Sequence, residues 1–206
     1  MTQQSLLDAL QARRTTTRFD PAHTISDDEI QELVRLATLA PTSFNLQNWR
    51  FIAVRTPEAK ARLRKLAWDQ VKVTEAAVTF IVVGQLADYR TLPDRLAPAV
   101  AAGFMPADMV GGWEGAAKGL YDGYPQRQRD EAVRTATFGA GALILAAQAK
   151  GWGAGAMIGF DDAAVAREFG LADNEIPGLL LAVGQGLPQN WPRKPRRPVG
   201  EVLSLV

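Results

Sequence analysis

Three separated stretches carry side chains suited to one kind of ligand. "RRTTT" (13–17) sets two guanidinium groups and three hydroxyls at the exit of a short helical pattern. "PTSFNLQN" (41–48) offers hydroxyls and amides, and "PRKPRR" (192–197) holds four cations in a proline-stiffened frame. Arginine forks and hydroxyls suit a phosphate. Amides, which donate and accept, suit the edge of a heterocycle. Each stretch also has an ordinary reading: a basic pair complementing a helix dipole, a cap-and-turn cluster, a solvated basic run. The common nucleotide fingerprints are missing. "GWGAG" (151–155) is not G-x-G-x-x-G and follows a helix where that motif precedes one, and there is no Walker A sequence. Residue types and spacing thus reach a phosphate-bearing ligand and stop there.

Absences narrow the chemistry further. The 206 residues include no cysteine, which removes disulfides, thiolate nucleophiles and sulfur-ligated metals. His23 is the only histidine, so multi-histidine metal sites are excluded. The serines at 5, 26, 43 and 204 have no nucleophile-elbow context. Redox or group-transfer work would therefore fall to an organic cofactor. A net charge of +1 gives no field for nucleic acid or membrane. The apolar run at 136–147 is too short to span a bilayer. "MTQQSLLDALQARR" has no apolar leader, and the expectation is a cytoplasmic protein.

The elements that must position these groups are legible from periodicity. Residues 3–14 read as an amphipathic helix with Leu6, Leu7 and Leu10 on one side. Ser26 and Glu29 form a capping-box pattern opening a second helix, which Pro41 ends. Strands are expected at 51–54, 77–84, within "GWGAGAMIGFD" after its glycine-rich turn, and at 178–184. Pro57 starts a third helix. Residues 85–128 show scattered Gly, Pro, Trp and Tyr, with two short helices expected. A long helix from 129 to 150, nearly chargeless in its middle and closed by Gly151, should be buried on most sides. One α+β domain over 1–206, with the long helix behind the sheet, accounts for the pattern.

Four ordered blocks, "ARRTTTRFDP", "APTSFNLQNWRF", "KGWGAGAMIGFD" and "PRKPRRPVGEV", resemble the signature blocks of the nitroreductase family, from about residue 8 to 203. The likeness is greatest to its bacterial NAD(P)H nitroreductase and quinone-reductase branch. The resemblance implies an α+β homodimer with a mixed, largely antiparallel sheet and FMN at the subunit interface. It implies that Arg13, Arg14 and Thr15 hold the phosphate and ribityl end, with Lys194 and Arg196 adding C-terminal phosphate contacts. Thr42, Ser43, Asn45 and Gln47 would reach the flavin from the partner subunit. Gln70 and Lys72 match the position that touches the pyrimidine side. Ala156, Met157, Ile158 and Gly159 would lie along the ring, with backbone N–H near N5. Thr17 stands where many members carry a cation, leaving that phosphate contact to Thr17 or Arg18. The 85–128 excursion occupies the place of a variable lid, where Trp113, Tyr121 and Tyr124 could stack on an aromatic substrate.

The activity so implied is hydride transfer from NAD(P)H through flavin N5 to a quinone or nitroaromatic, with ping-pong kinetics and no obligatory protein acid or base. Alternatives on the same scaffold are dehalogenation, enone reduction, or a flavin-binding carrier or sensor without turnover. Nucleic-acid binding through the two basic stretches lacks a basic surplus and a recognition-helix pattern.

Overall fold

The computed structural model describes residues 6–206. Residues 3–5 of the expected first helix lie outside the described residues. Helix α1 (Leu6–Ala12) buries Ala9, while Leu7 and Leu10 stay exposed. Helix α2 (Asp27–Ala37) is opened by the expected capping box, Ser26 and Glu29 each accepting from the other's backbone N–H. Strand β1 (Trp49–Val54) precedes α3 (Pro57–Leu66) and a single turn of helix, α4 (Lys72–Glu75). Strand β2 (Val78–Gln85) is the β-branched run, buried along nearly its whole length as a central strand should be. Two helices fill the excursion, α5 (Leu92–Ala101) and α6 (Met109–Tyr121). Then come α7 (Pro125–Ala149), β3 (Gly153–Met157), α8 (Asp162–Glu168) and β4 (Glu175–Gly184).

The sheet runs β1-β2-β4-β3, and every pairing is antiparallel. The expected mixed character reduces, among the described residues, to one isolated parallel bridge between Thr15 and Ala154. Alternation along β2 and β4 splits the core. Phe80, Val82, Leu181 and Val183 pack under α2 and α7, whereas Ile81, Val83, Leu180 and Ala182 pack against Leu63, Val73 and Val165. A third cluster joins Leu46 to Leu92, Leu96 and Tyr121, tying the 42–48 loop to the excursion.

Small residues let α7 lie directly on the sheet. A Cβ at Gly84 would sit 2.0 Å from the Ala132 carbonyl oxygen, so only glycine allows this approach. The helix begins at Pro125, four residues before its expected start, because proline fits a first helical turn. It is also less enclosed than expected. Thr137, Phe138 and Gly141 face outward, and with Ala40, Pro41 and Leu145 they form an apolar groove of about 540 Å³. The chargeless stretch therefore has two apolar faces, one on the sheet and one open.

Helix α6 carries glycines at mid-helix that touch nothing, Gly112 and Gly115 among them. Each costs roughly 0.5–1 kcal/mol relative to alanine. The double substitution Gly112→Ala/Gly115→Ala should therefore raise Tm by about 2–8 °C. An unchanged or lower Tm in thermal denaturation would show that this face of α6 is covered in solution.

Candidate functional site

Residues 14–18 run extended beside β3, where the Thr16 N–H donates to the Ala154 carbonyl at 2.9 Å. The strand makes room for them with glycines. A Cβ at Gly155 would lie 2.2 Å from the Thr16 carbonyl oxygen, and one at Gly153 2.4 Å from Thr16 Oγ1. On the far side the segment is clamped by Asn190, a buried amide that the sequence did not single out. Its Oδ1 accepts from the N–H of Thr17 (2.8 Å) and of Arg18 (3.0 Å) and from Thr17 Oγ1, and its Nδ2 donates to the Arg18 carbonyl at 2.7 Å. The only local signal was a turn-forming "PQN" between two apolar residues; the partner lies more than 170 residues away.

This clamp brings the C-terminal tail against 15–17. Thr15, Thr17, Trp191, Arg193, Lys194 and Arg196 line a cavity of about 480 Å³ into which no carboxylate projects. Lys194 Nζ lies 5.8 Å from the centroid of the Trp191 ring. Two hydroxyls and three cations around one space make an anion site.

Alternation of the extended segment divides these residues between two cavities. Thr15 and Thr17 face this cavity, while Arg14 and Thr16 line a second one of about 260 Å³ with Gln148 and Gly153. Arg13 lines neither. Thr17 faces the first cavity, whereas Arg18 is paired with Glu75 (2.8 Å). Burial pushes the Glu75 carboxyl up, but hydrogen bonds from the Arg18 guanidinium and the Phe19 N–H outweigh it and leave the pKa below the ordinary value.

At the other end of the site, the chain leaving α3 turns through two left-handed residues, Trp68 (φ 50°) and Asp69 (φ 57°). That turn swings Gln70 under 155–159, where its Nε2 donates to the Gly159 carbonyl at 2.7 Å. The Trp68 ring closes over Gly159, leaving no room there for a side chain. Lys72 lies beside Gly155, its Cδ 3.7 Å from where a Cβ would be. It is half-buried and has no ion-pair partner among the described residues, and burial lowers its pKa below 10.5. Ala156 and Ile158 point outward, Ile158 being 81% exposed. Met157 does not share that face: its side chain is buried with Ile81 and Leu180, so it can offer a ligand only its backbone.

The loop bearing Thr42, Ser43, Asn45 and Gln47 lies apart from these blocks within the chain. Thr42 Oγ1 accepts from the Gln47 N–H (3.0 Å), and Ser43 Oγ meets the Tyr121 hydroxyl at 2.7 Å. Of the excursion's aromatics, Tyr121 is buried, Trp113 packs edge-on to Phe44, and Tyr124 is half exposed with the Arg127 guanidinium 4.5 Å above its ring. Among the described residues no group of three or more His, Asp or Glu could hold a metal, and no helix is long and apolar enough to cross a membrane.

The sequence model of the Nitroreductase family matches residues 10–185. Protein DrgA of Synechocystis is 33% identical over 208 residues, covering 97% of this chain and 95% of that protein. YodC of Bacillus subtilis, named provisionally as an NAD(P)H nitroreductase, is 30% identical over 181 residues, covering 88% and 89%. The crystal structure of a provisionally named nitroreductase from Exiguobacterium sibiricum, in complex with FMN, superposes with a TM-score of 0.92 at 27% identity, over 100% of this chain and 99% of that one.

Proposed function

Because the chain belongs to the nitroreductase family, we propose that it is an FMN-dependent oxidoreductase that takes hydride from NAD(P)H and delivers it to quinone or nitroaromatic acceptors. The observation that carries this is the juxtaposition of donors: an anion cavity at 15–17 and 191–196 is lined by a segment whose Thr16 carbonyl abuts Gly155, Lys72 lies beside that same glycine, and the Gln70 amide is oriented on Gly159. The donor set fits FMN from end to end. Thr15, Thr17, Lys194 and Arg196 would hold the phosphate. Gln70, its Nε2 committed to Gly159, keeps its carbonyl free to accept from a ring N–H. Lys72 would place a cation at the pyrimidine edge, where negative charge collects. When bound, FMN supplies the N5 that accepts and returns hydride. The chain's own part is to orient, exclude water and balance charge, which fits donor and acceptor visiting one face in turn.

A second copy of the chain would complete the site. Phe138 is about half exposed on the open face of α7, and the tail ends in exposed Val202, Leu203, Leu205 and Val206. So much uncovered apolar surface favours self-association. Thr42, Ser43, Asn45 and Gln47, separate from the cavity in one chain, would then serve the partner's flavin. For this reading we place the protein in the cytoplasm; among the described residues no helix is long and apolar enough to cross a membrane.

The test is the visible spectrum of the purified protein, before and after adding NADH or NADPH without oxygen. A flavin spectrum that bleaches is the expected result, and the more effective nucleotide identifies the donor. A spectrum that never bleaches would convert the reading to a carrier or sensor. A colourless protein that takes up no added FMN would end it.

A further inference from the structure

The loop at 42–48 holds an expensive shape. Phe44 (φ 49°), Asn45 (φ 58°) and Gln47 (φ 48°) all sit in the left-handed region, and none is glycine. Such residues persist only where surrounding structure fixes them. Internal bonds contribute: Asn45 N–H to the Thr42 carbonyl, Leu46 N–H to the Ser43 carbonyl and Gln47 N–H to Thr42 Oγ1. Further bracing comes from outside the loop, through the packing of Leu46 and through a buried polar cluster. Ser43 Oγ meets Tyr121 OH at 2.7 Å, with Tyr121 only 2% exposed at the end of α6. Glu131 of α7, also buried, lines one cavity with Ser43 and Tyr121 and is ion-paired with Arg134. Thr135, one turn on, shares its hydroxyl proton between Glu131 Oε1 (3.2 Å) and Asn48 Oδ1 (3.0 Å). The Asn48 amide is itself fixed by donating to the Gln85 carbonyl at 2.7 Å. Both ends of the strained loop are thus tied to the same network, one through α6 and the other directly through α7.

We propose that Tyr121, Glu131 and Thr135 are positioning residues that hold the 42–48 loop in its cofactor-facing shape, and that Tyr121 couples the order of α6 to that loop. The hold is built to be broken at one end. Helix α6 is weakened by glycines at 111, 112, 115 and 119, none of which gains packing in return, whereas α7 is anchored on the sheet. Loosening α6 withdraws the Tyr121 hydroxyl and leaves Ser43 without its partner, so movement of the excursion reaches the loop through this polar contact as well as through the packing of Leu46 and Phe44. The functional half of the proposal rests on the reading that the loop serves a flavin. The structural half does not.

Tyr121→Phe keeps the ring and removes the hydroxyl. In the full-length protein without added FMN, hydrogen exchange at the amides of 43–48 should rise about tenfold, with exchange in β2 and β4 unchanged. Thr135→Val, acting at the other end, should do the same near Asn48. Adding Ser43→Ala to Tyr121→Phe should make the exchange of 44–48 no faster still, since both remove one contact. The FMN dissociation constant should rise about tenfold in parallel. Unchanged exchange in both variants would overturn the network's role. Faster exchange with unaltered FMN affinity would uphold the bracing and overturn its link to the cofactor. If the unsubstituted protein binds no FMN, the functional reading fails by itself, while exchange still decides the bracing.

Discussion

Substituting Ala for Gly155 should strip the protein of FMN while leaving it folded. The added methyl would sit 2.2 Å from the Thr16 carbonyl oxygen, far inside van der Waals contact, and the obstacle is backbone that cannot rotate away. The carbonyl belongs to the segment that the Thr16–Ala154 hydrogen bond holds against β3. Relief requires 15–17 to leave the strand, and with it go Thr15 and Thr17 from the anion cavity. The same methyl would crowd the Lys72 stem. Losing two hydrogen bonds to a charged group, each about 1.5–3 kcal/mol, predicts at least about a 100-fold rise in the FMN dissociation constant. The fold should lose only about 1–3 kcal/mol, the usual range for overpacking, because β2 and β4 carry the core without this contact. Flavin content after purification and fluorescence titration with FMN check the first part, and thermal denaturation the second. Gly112→Ala, the same methyl in open space, is the matched control. Unaltered FMN affinity in the Gly155 variant would show that 15–17 does not hold the phosphate.

What the sequence revealed and what it concealed follow from the range of the interactions involved. The capping box at Ser26 and Glu29, the β-branched run of β2, and Gly151 (φ 79°) after the long helix are local devices, and each appears where its residues are. Within each block the direction of a side chain was not legible, because extended backbone alternates. Arg14 and Thr15 are neighbours yet line different cavities, and the Met157 side chain is buried between exposed Ala156 and Ile158. Asn190 escaped notice because its meaning lies in a contact across almost the whole chain. The 42–48 loop displayed its polar side chains but not its shape. No local rule puts a phenylalanine or a glutamine at positive φ, and only Tyr121 and Thr135, distant in sequence, explain why they are there. The open face of α7 was legible only in part: the near-chargeless stretch 135–149 is more apolar surface than one subunit comfortably hides, but composition does not say which side is packed on the sheet and which awaits a partner.

Lys72→Met should slow reduction by NAD(P)H far more than it weakens FMN binding. Methionine replaces the stem's apolar bulk beside Gly155 and removes only the charge. FMN retention rests mainly on the anion cavity at the other end, so affinity should fall less than about threefold. Reduction adds negative charge to the ring, and that is the change a cation at its edge favours. A unit charge about 4 Å away is worth about 4 kcal/mol in a partly screened site. Solvent reaching the half-buried ammonium brings this to roughly 2 kcal/mol. The expected outcome is a reduction rate about 30-fold lower and a two-electron potential about 45 mV more negative. The sign of the pH effect follows from the same burial. Lys72 loses its proton below the ordinary 10.5, so in the unliganded protein stability rises with pH between that lowered pKa and 10.5, where the unfolded chain binds more protons. Stabilisation of negative charge on the ring runs the opposite way, present below the pKa and lost as pH climbs through it. Lys60, also lowered by burial and donating to the Ala76 carbonyl at 2.6 Å, contributes its own stability slope and keeps it in the variant. The alkaline fall in reduction rate should therefore disappear with Lys72 while part of the stability slope remains. Anaerobic stopped-flow reduction across pH and a potentiometric titration decide it. An unchanged potential accompanied by loss of FMN would make Lys72 a binding residue and nothing more.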